Sequence, residues 1–428
     1  MRKVINFISV AGIIGLFAWI SFFAAILTGD IWRFRVLSAL VILLTTLVLL
    51  DPGFYRKLIF SKEDIYLWIF LLTMAGGLVN ATNQTVAYQH FWAFIFTVPF
   101  FYFFAKAAFR EEYAMITLRV LCFMGLLVCI YGIIEFITGK NFIYTDLIYN
   151  FCYDEFKGQR MMSIQVHPAP LGTYLIAILP LSIVLIFKEK KRYLKVLAVI
   201  FAAVIFISII MTFSRGAFLG VFMAVLTMLF FLFRRKKDFF ISALILFALG
   251  IAIIVISSLF RHMHLSFYRF SLDGLTEPYR HSYKLNRFIS IGSILRDHPF
   301  FGLGFDHYRI FFDYYLPHLA KVVSQQSKVP DCVYVLLLTE TGIVGFTGFA
   351  LFVYFLFKKI ICRLKSLPKN EDRLLLAGFL SGFVGILFAF LTYDALYWTA
   401  PAYLFWSYAG ILACLTGKSS AQRHNKPF

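Results

Sequence analysis

Arg215 stands in the run Thr212-Phe213-Ser214-Arg215-Gly216, a short turn between two long apolar stretches. A permanently charged guanidinium beside so much apolar chain is costly, so such a residue carries a functional expectation. Its planar fork suits the paired oxygens of a phosphate or diphosphate. The alternative is that it snorkels to lipid headgroups. Arg160 and Val166-His167-Pro168 form a second group. Arg160 is a candidate anion ligand or a solvated loop charge. His167 opens an apolar run, where it serves either as a proton-transfer group or as a cap. Arg280, Lys284 and Arg287 follow at spacings of four and three, which places them on one helical face. A cationic face beside a bilayer holds a phosphate or attracts anionic headgroups. Then come Arg296-Asp297-His298-Pro299 and Gly302-Leu303-Gly304. This glycine pair is no nucleotide loop, because no strand precedes it and no Lys-Ser follows. Finally, Asp331-Cys332-Val333-Tyr334 leads into Glu340-Thr341-Gly342 and Gly345. Asp331 at the start of a helical run serves as a general base, an N-cap, or both.

The elements that must position these groups are membrane helices. Of the 428 residues, 61% are hydrophobic and only 15% charged, and 53 are Phe. A water-soluble fold cannot hide that much apolar surface, so lipid is the solvent for much of the chain. The fold class is all-α, a polytopic bundle of about twelve transmembrane helices, because lipid offers no partner to an unpaired backbone group. The apolar stretches are 4–27, 34–50, 65–80, 88–106, 114–137, 169–187, 193–212, 216–233, 239–260, 342–357, 374–393 and 399–416. The whole chain, 1–428, reads as one integral membrane domain without repeats or a second domain. The six cysteines are scattered, with no metal-ligand spacing. Unpaired thiols are expected, although Cys152 and Cys332 both fall in loops on the same side. Neither a metal nor a cofactor is called for.

Orientation follows from Lys and Arg. About 26 of the 41 basic residues fall in alternate segments, which places both termini in the cytoplasm of an inner-membrane protein. The net charge of +19 is then a positive-inside signature, not a nucleic-acid one. Two longer segments, 138–168 and 261–341, are left on the extracytoplasmic side. Within the second, Leu285, Phe288, Ile291 and Leu295 repeat at helical spacing over Ser282–Arg296, an amphipathic helix lying on the membrane or capping a cavity. Pro299, Gly302 and Gly304 break it, and a further helix begins near Asp331. A cysteine placed at Leu275 should react with a membrane-impermeant maleimide in cells with a permeable outer barrier. Labelling only after the inner membrane is broken would overturn the topology.

Taken in order, these pieces resemble the O-antigen ligase and O-antigen polymerase family. The resemblance rests on Arg160, His167-Pro168 with Leu171-Gly172, Ser214-Arg215-Gly216, Asp297-His298-Pro299-Phe300-Phe301-Gly302-Leu303-Gly304-Phe305, and Asp331 through Gly345. It implies a metal-independent glycosyltransferase with its site on the outer face of the cytoplasmic membrane. The implied donor is a polyprenyl-diphosphate-linked glycan, the acceptor a glycan or glycolipid, and the further partners other polysaccharide-assembly proteins. Arg215, Asp331, Arg287 and His167 become the catalytic candidates. Arg160, Arg280, Lys284, His298, Tyr308 and Glu340 become the substrate-binding ones. Arg215 matches the family's arginine after the hairpin. The family's second arginine falls near Lys284 by spacing, and at Arg287 or Arg280 by residue type. Lipid A–core ligases resemble His-Asn where this chain has Asp331-Cys332, so polymerisation is favoured over ligation. A solute transporter of the same superfamily is a further alternative, which should show inverted repeats and helices broken at the midplane. A non-enzymatic scaffold would have no use for Arg215.

Overall fold

A computed structural model describes residues 2–23, 61–143, 160–165, 167–233, 236–259, 271, 278–317, 328–367 and 371–417. Among them the chain is helical, with no strand. The helices are α1 (Arg2–Ala18, continued by a π turn over Trp19–Phe23), α2 (Lys62–Asn80), α3 (Gln84–Ala108), α4 (Ala114–Thr138) and α5 (Pro168–Lys188). There follow α6 (Arg192–Met211), α7 (Arg215–Leu232), α8 (Lys236–Leu259), α9 (Pro278–Asp297), α10 (Tyr308–Tyr315), α11 (Val333–Ser366), α12 (Glu371–Ala389) and α13 (Thr399–Thr416). Over the described residues each apolar stretch read from the sequence falls mainly on a helix; 24–27, 34–50 and 260 lie outside them. Seven helical segments are long and apolar enough to cross a membrane: 84–108, 111–138, 168–188, 192–211, 215–232, 237–259 and 333–366. Two shorter apolar helices, Val10–Ser21 and Arg373–Ala389, add to these among the described residues. Helix α2 opens on Lys62, Glu63 and Asp64, which shortens its apolar run.

The burial pattern sorts the helices. Helix α5 is apolar on every side and buried over nearly all its length, so it is the centre of the bundle. It packs on α6, α7 and α12, and α13 and α11 lie against α3 and α2. Helix α8 packs on α7 and turns Leu244, Ile245 and Phe247 outward, as a lipid-facing helix does. One end of the bundle is closed by ion pairs whose carboxylates are buried. Lys106 Nζ lies 2.6 Å from Asp64, whose other oxygen accepts the Tyr102 hydroxyl at 2.7 Å. Lys359 pairs with Glu63 at 2.5 Å, and Arg119 grips Glu189 through two nitrogens at 2.6 and 2.9 Å. Breaking one buried partner leaves an uncompensated charge, so these pairs lock α2 to α3 and α11, and α4 to the end of α5.

The opposite end, which carries the large loop, is organised by a break in α11. Gly342 has φ 64 and ψ −170 and interrupts the helix. The break frees the carbonyls of Thr339 and Glu340 and the N–H groups of Ile343 and Val344. Residues 299–304 supply the missing partners. Leu303 and Gly304 donate to Thr339 O and Glu340 O at 2.9 and 3.1 Å, while Ile343 and Val344 donate to Pro299 O and Phe300 O at 2.9 and 3.3 Å. Asn80 at the end of α2 donates to Gly302 O at 2.8 Å. The glycines are needed here. Gly302 sits at φ 66, and a Cβ on it would lie 2.5 Å from the Glu340 carbonyl carbon. Gly302→Ala therefore combines left-handed strain with a backbone clash and should cost about 1–3 kcal/mol or more. Thermal unfolding in detergent should show it as a clear fall in midpoint. Gly292→Ala, on α9 with open space around it, should leave the midpoint unchanged or raise it.

Candidate active site at the large-loop end

Arg160 is 7% exposed, and its Nε donates to Thr212 O at 3.0 Å. The neighbouring Met161 N–H donates to Met211 O at 2.9 Å, so the 160–165 segment runs alongside the turn that carries Arg215. That segment is anchored from α4. Glu135 accepts the Ser163 N–H at 2.5 Å and the Met162 N–H at 3.3 Å, and Ser163 donates its hydroxyl to Val128 O at 2.7 Å. These bonds hold Ser163 at the unusual φ of 53. On the other strand of the pair, Phe213 turns at φ 44, and Ser214 caps α7 by accepting the Ala217 N–H at 3.4 Å. Arg215 is thereby the first helical residue, half-buried.

His167 is the N-cap of α5. Its Nδ1 accepts the Ala169 N–H at 3.2 Å, and Pro168 takes the first helical position, where its missing donor costs nothing. A neutral His167 with Nδ1 so engaged carries its proton on Nε2, and therefore presents a donor and not a base. Its ring lies 5.2 Å from that of Trp398, at an interplanar angle of 30°.

Trp398 belongs to the segment between α12 and α13, which the sequence reading passed over. It holds the acid of this segment: Trp398 Nε1 donates to Asp394 Oδ1 at 3.0 Å. The start of α11 is fixed beside it, since Val333 N–H donates to Phe390 O at 2.9 Å and the Tyr334 hydroxyl donates to Leu387 O at 2.7 Å. Asp331 and Asp394 thus come close enough to interact, with Arg309 also acting on Asp394. Burial, with the Asp331 charge added, pushes the Asp394 carboxyl above the ordinary carboxylate range, against the Trp398 hydrogen bond that favours its charged form. The N-cap expected at Asp331 is corrected by one residue: Cys332 holds that position, with its side chain buried. The 390–398 segment also reaches the arginine turn. A Cβ on Gly216 would overlap Thr392 Oγ1, and the Tyr393 hydroxyl meets Thr173 of α5 at 2.5 Å.

The large-loop candidates divide. Arg280, Lys284 and Arg287 lie on α9, as their spacing requires, but their side chains are outside the described residues. His298 is half-buried, with its ring 6.3 Å from Phe311. Tyr308, expected to bind substrate, is instead a core residue at 2% exposure, its hydroxyl 3.0 Å from Ser290 Oγ. Glu340, also expected there, is 2% exposed and spends its two oxygens on the backbone, accepting Asp306 N–H at 2.9 Å and Tyr308 N–H at 3.0 Å. It positions the loop by capping the start of α10. Asp306 itself pairs with His90 of α3 at 3.0 Å. Arg309, on the exposed side of α10, was not singled out, because a lone Arg with no partner in spacing gives no signal. Among the described residues, no group of three or more His, Cys, Asp or Glu side chains could hold a metal ion.

These features define a polytopic helical membrane protein with cationic and acidic groups gathered at one end of the bundle. Residues 200–350 match the family model described as O-antigen ligase. The matched part takes in Arg215, α9, the glycine loop, Asp331 and Glu340, and it supports the O-antigen ligase/polymerase family, a type of membrane enzyme with glycosyltransferase-like activity in O-antigen assembly. Arg160, His167 and the 390–398 segment lie outside it. No curated protein matches the chain.

Proposed function

We propose that the chain polymerises polyprenyl-diphosphate-linked glycan on the outer face of the cytoplasmic membrane. The observation that carries this reading is the meeting of two sets of groups through the 390–398 segment. The turn that carries Arg215, beside Arg160, meets it, with Thr392 against Gly216 and Trp398 against His167. Asp394 belongs to it, and the Asp331 charge acts on Asp394. In the proposed reaction an acceptor hydroxyl attacks the anomeric carbon of the donor sugar. The bond from that carbon to the diphosphate oxygen breaks, and polyprenyl diphosphate leaves with the electron pair. Fixed guanidiniums offset the charge growing on the diphosphate. The hydroxyl proton passes to a carboxylate, for which Asp331 and Asp394 are the candidates.

Ligation to lipid A–core is the second reading, and the description of the matched family favours it. The Asp331-Cys332 pair favours polymerisation, because ligases resemble His-Asn there. A transporter is supported less well. Its broken helix should line a substrate path, whereas the break at Gly342 is filled by backbone bonds from residues 299–304. The test is purified protein in nanodiscs supplied with the polyprenyl-diphosphate oligosaccharide that accumulates in cells lacking it. Longer lipid-linked chains are the expected product. Transfer only when lipid A–core is added would make the protein a ligase, and no transfer under either condition would overturn the reading.

A further inference from the structure

Tyr397 is a hydroxyl without a partner in a place where one is needed. Its Oη is shielded from solvent and meets no hydrogen-bonding group among the described residues. Its ring stacks on Phe305 of the glycine loop, with centroids 4.7 Å apart and planes 9° from parallel. The same ring packs against both the main core of the bundle and the small core formed by α9, α10 and the loop. Tyr397 therefore lies on the seam between them. It is three residues from Asp394, and its N–H donates to Asp394 O at 2.9 Å. Other buried orphan atoms, such as Trp406 Nε1 and Ser407 Oγ, sit deep in α13, away from this seam.

A buried donor left unpaired destabilises the protein that holds it, whereas an apolar group of the same shape would not. Phenylalanine has that shape and would keep the stack on Phe305. The hydroxyl thus has a cost and no structural return. We propose that Tyr397 binds a hydroxyl of the acceptor sugar, which enters at the seam between the loop and the bundle beside Asp394. This rests on the glycan-transfer reading and deepens it. A sugar hydroxyl both donates and accepts, as a phenol does, and the flat ring faces of Tyr397 and Trp398 suit the apolar face of a pyranose. Phe305 stacks on Tyr397, so a sugar that takes this face requires the loop to shift off the stack.

The test compares Tyr397→Phe with Tyr408→Phe. Tyr408 is a buried tyrosine whose hydroxyl is used, donating to Ala177 O at 2.8 Å. Both are assayed in nanodiscs with the polyprenyl-diphosphate oligosaccharide, and both are melted without it. Tyr397→Phe should raise KM by about 3- to 10-fold, the scale of one hydrogen bond. Its kcat should hold, and its melting midpoint should stay level or rise. Tyr408→Phe should lower the midpoint and leave KM alone. A Tyr397→Phe protein with wild-type KM, or one that melts earlier, would assign the hydroxyl a structural or solvent role and overturn the proposal. Absence of transfer in the wild type would instead remove the reading beneath it.

Discussion

Arg215→Ala is expected to abolish long-chain product while leaving the protein in the membrane at normal abundance. The turn that carries Arg215 is held by other groups. Ser214 caps α7, Thr212 O takes the Arg160 hydrogen bond, and Gly216 packs on Thr392. None of these contacts uses the Arg215 side chain, so its loss should not unfold the turn. Its proposed work is on the diphosphate, whose charge grows as the glycosidic bond breaks. Removing one fixed group aimed at such charge costs about 10²–10³ in kcat. Arg215→Lys should recover little, because a point charge on a flexible stem does not replace a planar fork. Ser214→Ala supplies the contrast: it removes the cap at about 1 kcal/mol and should lower the melting midpoint more than the turnover. Wild-type chain lengths from Arg215→Ala, read by electrophoresis of the glycan, would take Arg215 out of the mechanism.

What the sequence disclosed and what it hid divide along physical lines. Helices were legible because lipid forces long apolar runs into one structure, and α9 because its apolar residues repeat at helical spacing. The end of α9 ahead of Pro299, Gly302 and Gly304 was legible too, since Pro and Gly punctuate the chain locally. The partner of this glycine stretch was not. That the carbonyls of Thr339 and Glu340 would be satisfied from residues 303 and 304 is a long-range pairing with no periodic trace. The bonds of Glu340 and the burial of Tyr308 were hidden for the same cause. A carboxylate in a run such as Glu340-Thr341-Gly342 looks available, and only the fold reveals two backbone N–H groups waiting for it. Asp394 was missed because it stands alone in a short segment between two apolar stretches. Its significance comes from Asp331, 63 positions away in the chain, and from Trp398, a neighbour by fold. Residue type marked Arg215 as expensive and Asp331 as a base or a cap; packing alone brought Asp394 to Asp331.

Asp331→Asn is expected to cost transfer about 10²-fold or more if Asp331 takes the acceptor proton. Asn keeps volume and hydrogen-bonding oxygen but cannot accept a proton at neutral pH. Folding should survive, because the N-cap position belongs to Cys332 and the first helical N–H is given to Phe390 O. The companion variant is Asp394→Asn, and the pH profile separates the two roles. With Asp394 held above the ordinary carboxylate range by burial and by the Asp331 charge, an acid limb of kcat/KM that belongs to Asp394 should lie above that range. If Asp331 is the base, Asp331→Asn is inactive at every pH. Asp394→Asn then keeps activity. If Asp394 is the base the pattern reverses: Asp331→Asn stays active with a lowered limb, and Asp394→Asn fails. Asp331→His should restore part of the activity only in the first case, since His can accept a proton where Asn cannot. Full activity with an unshifted acid limb in both Asn variants would exclude the pair and leave proton transfer to the substrate.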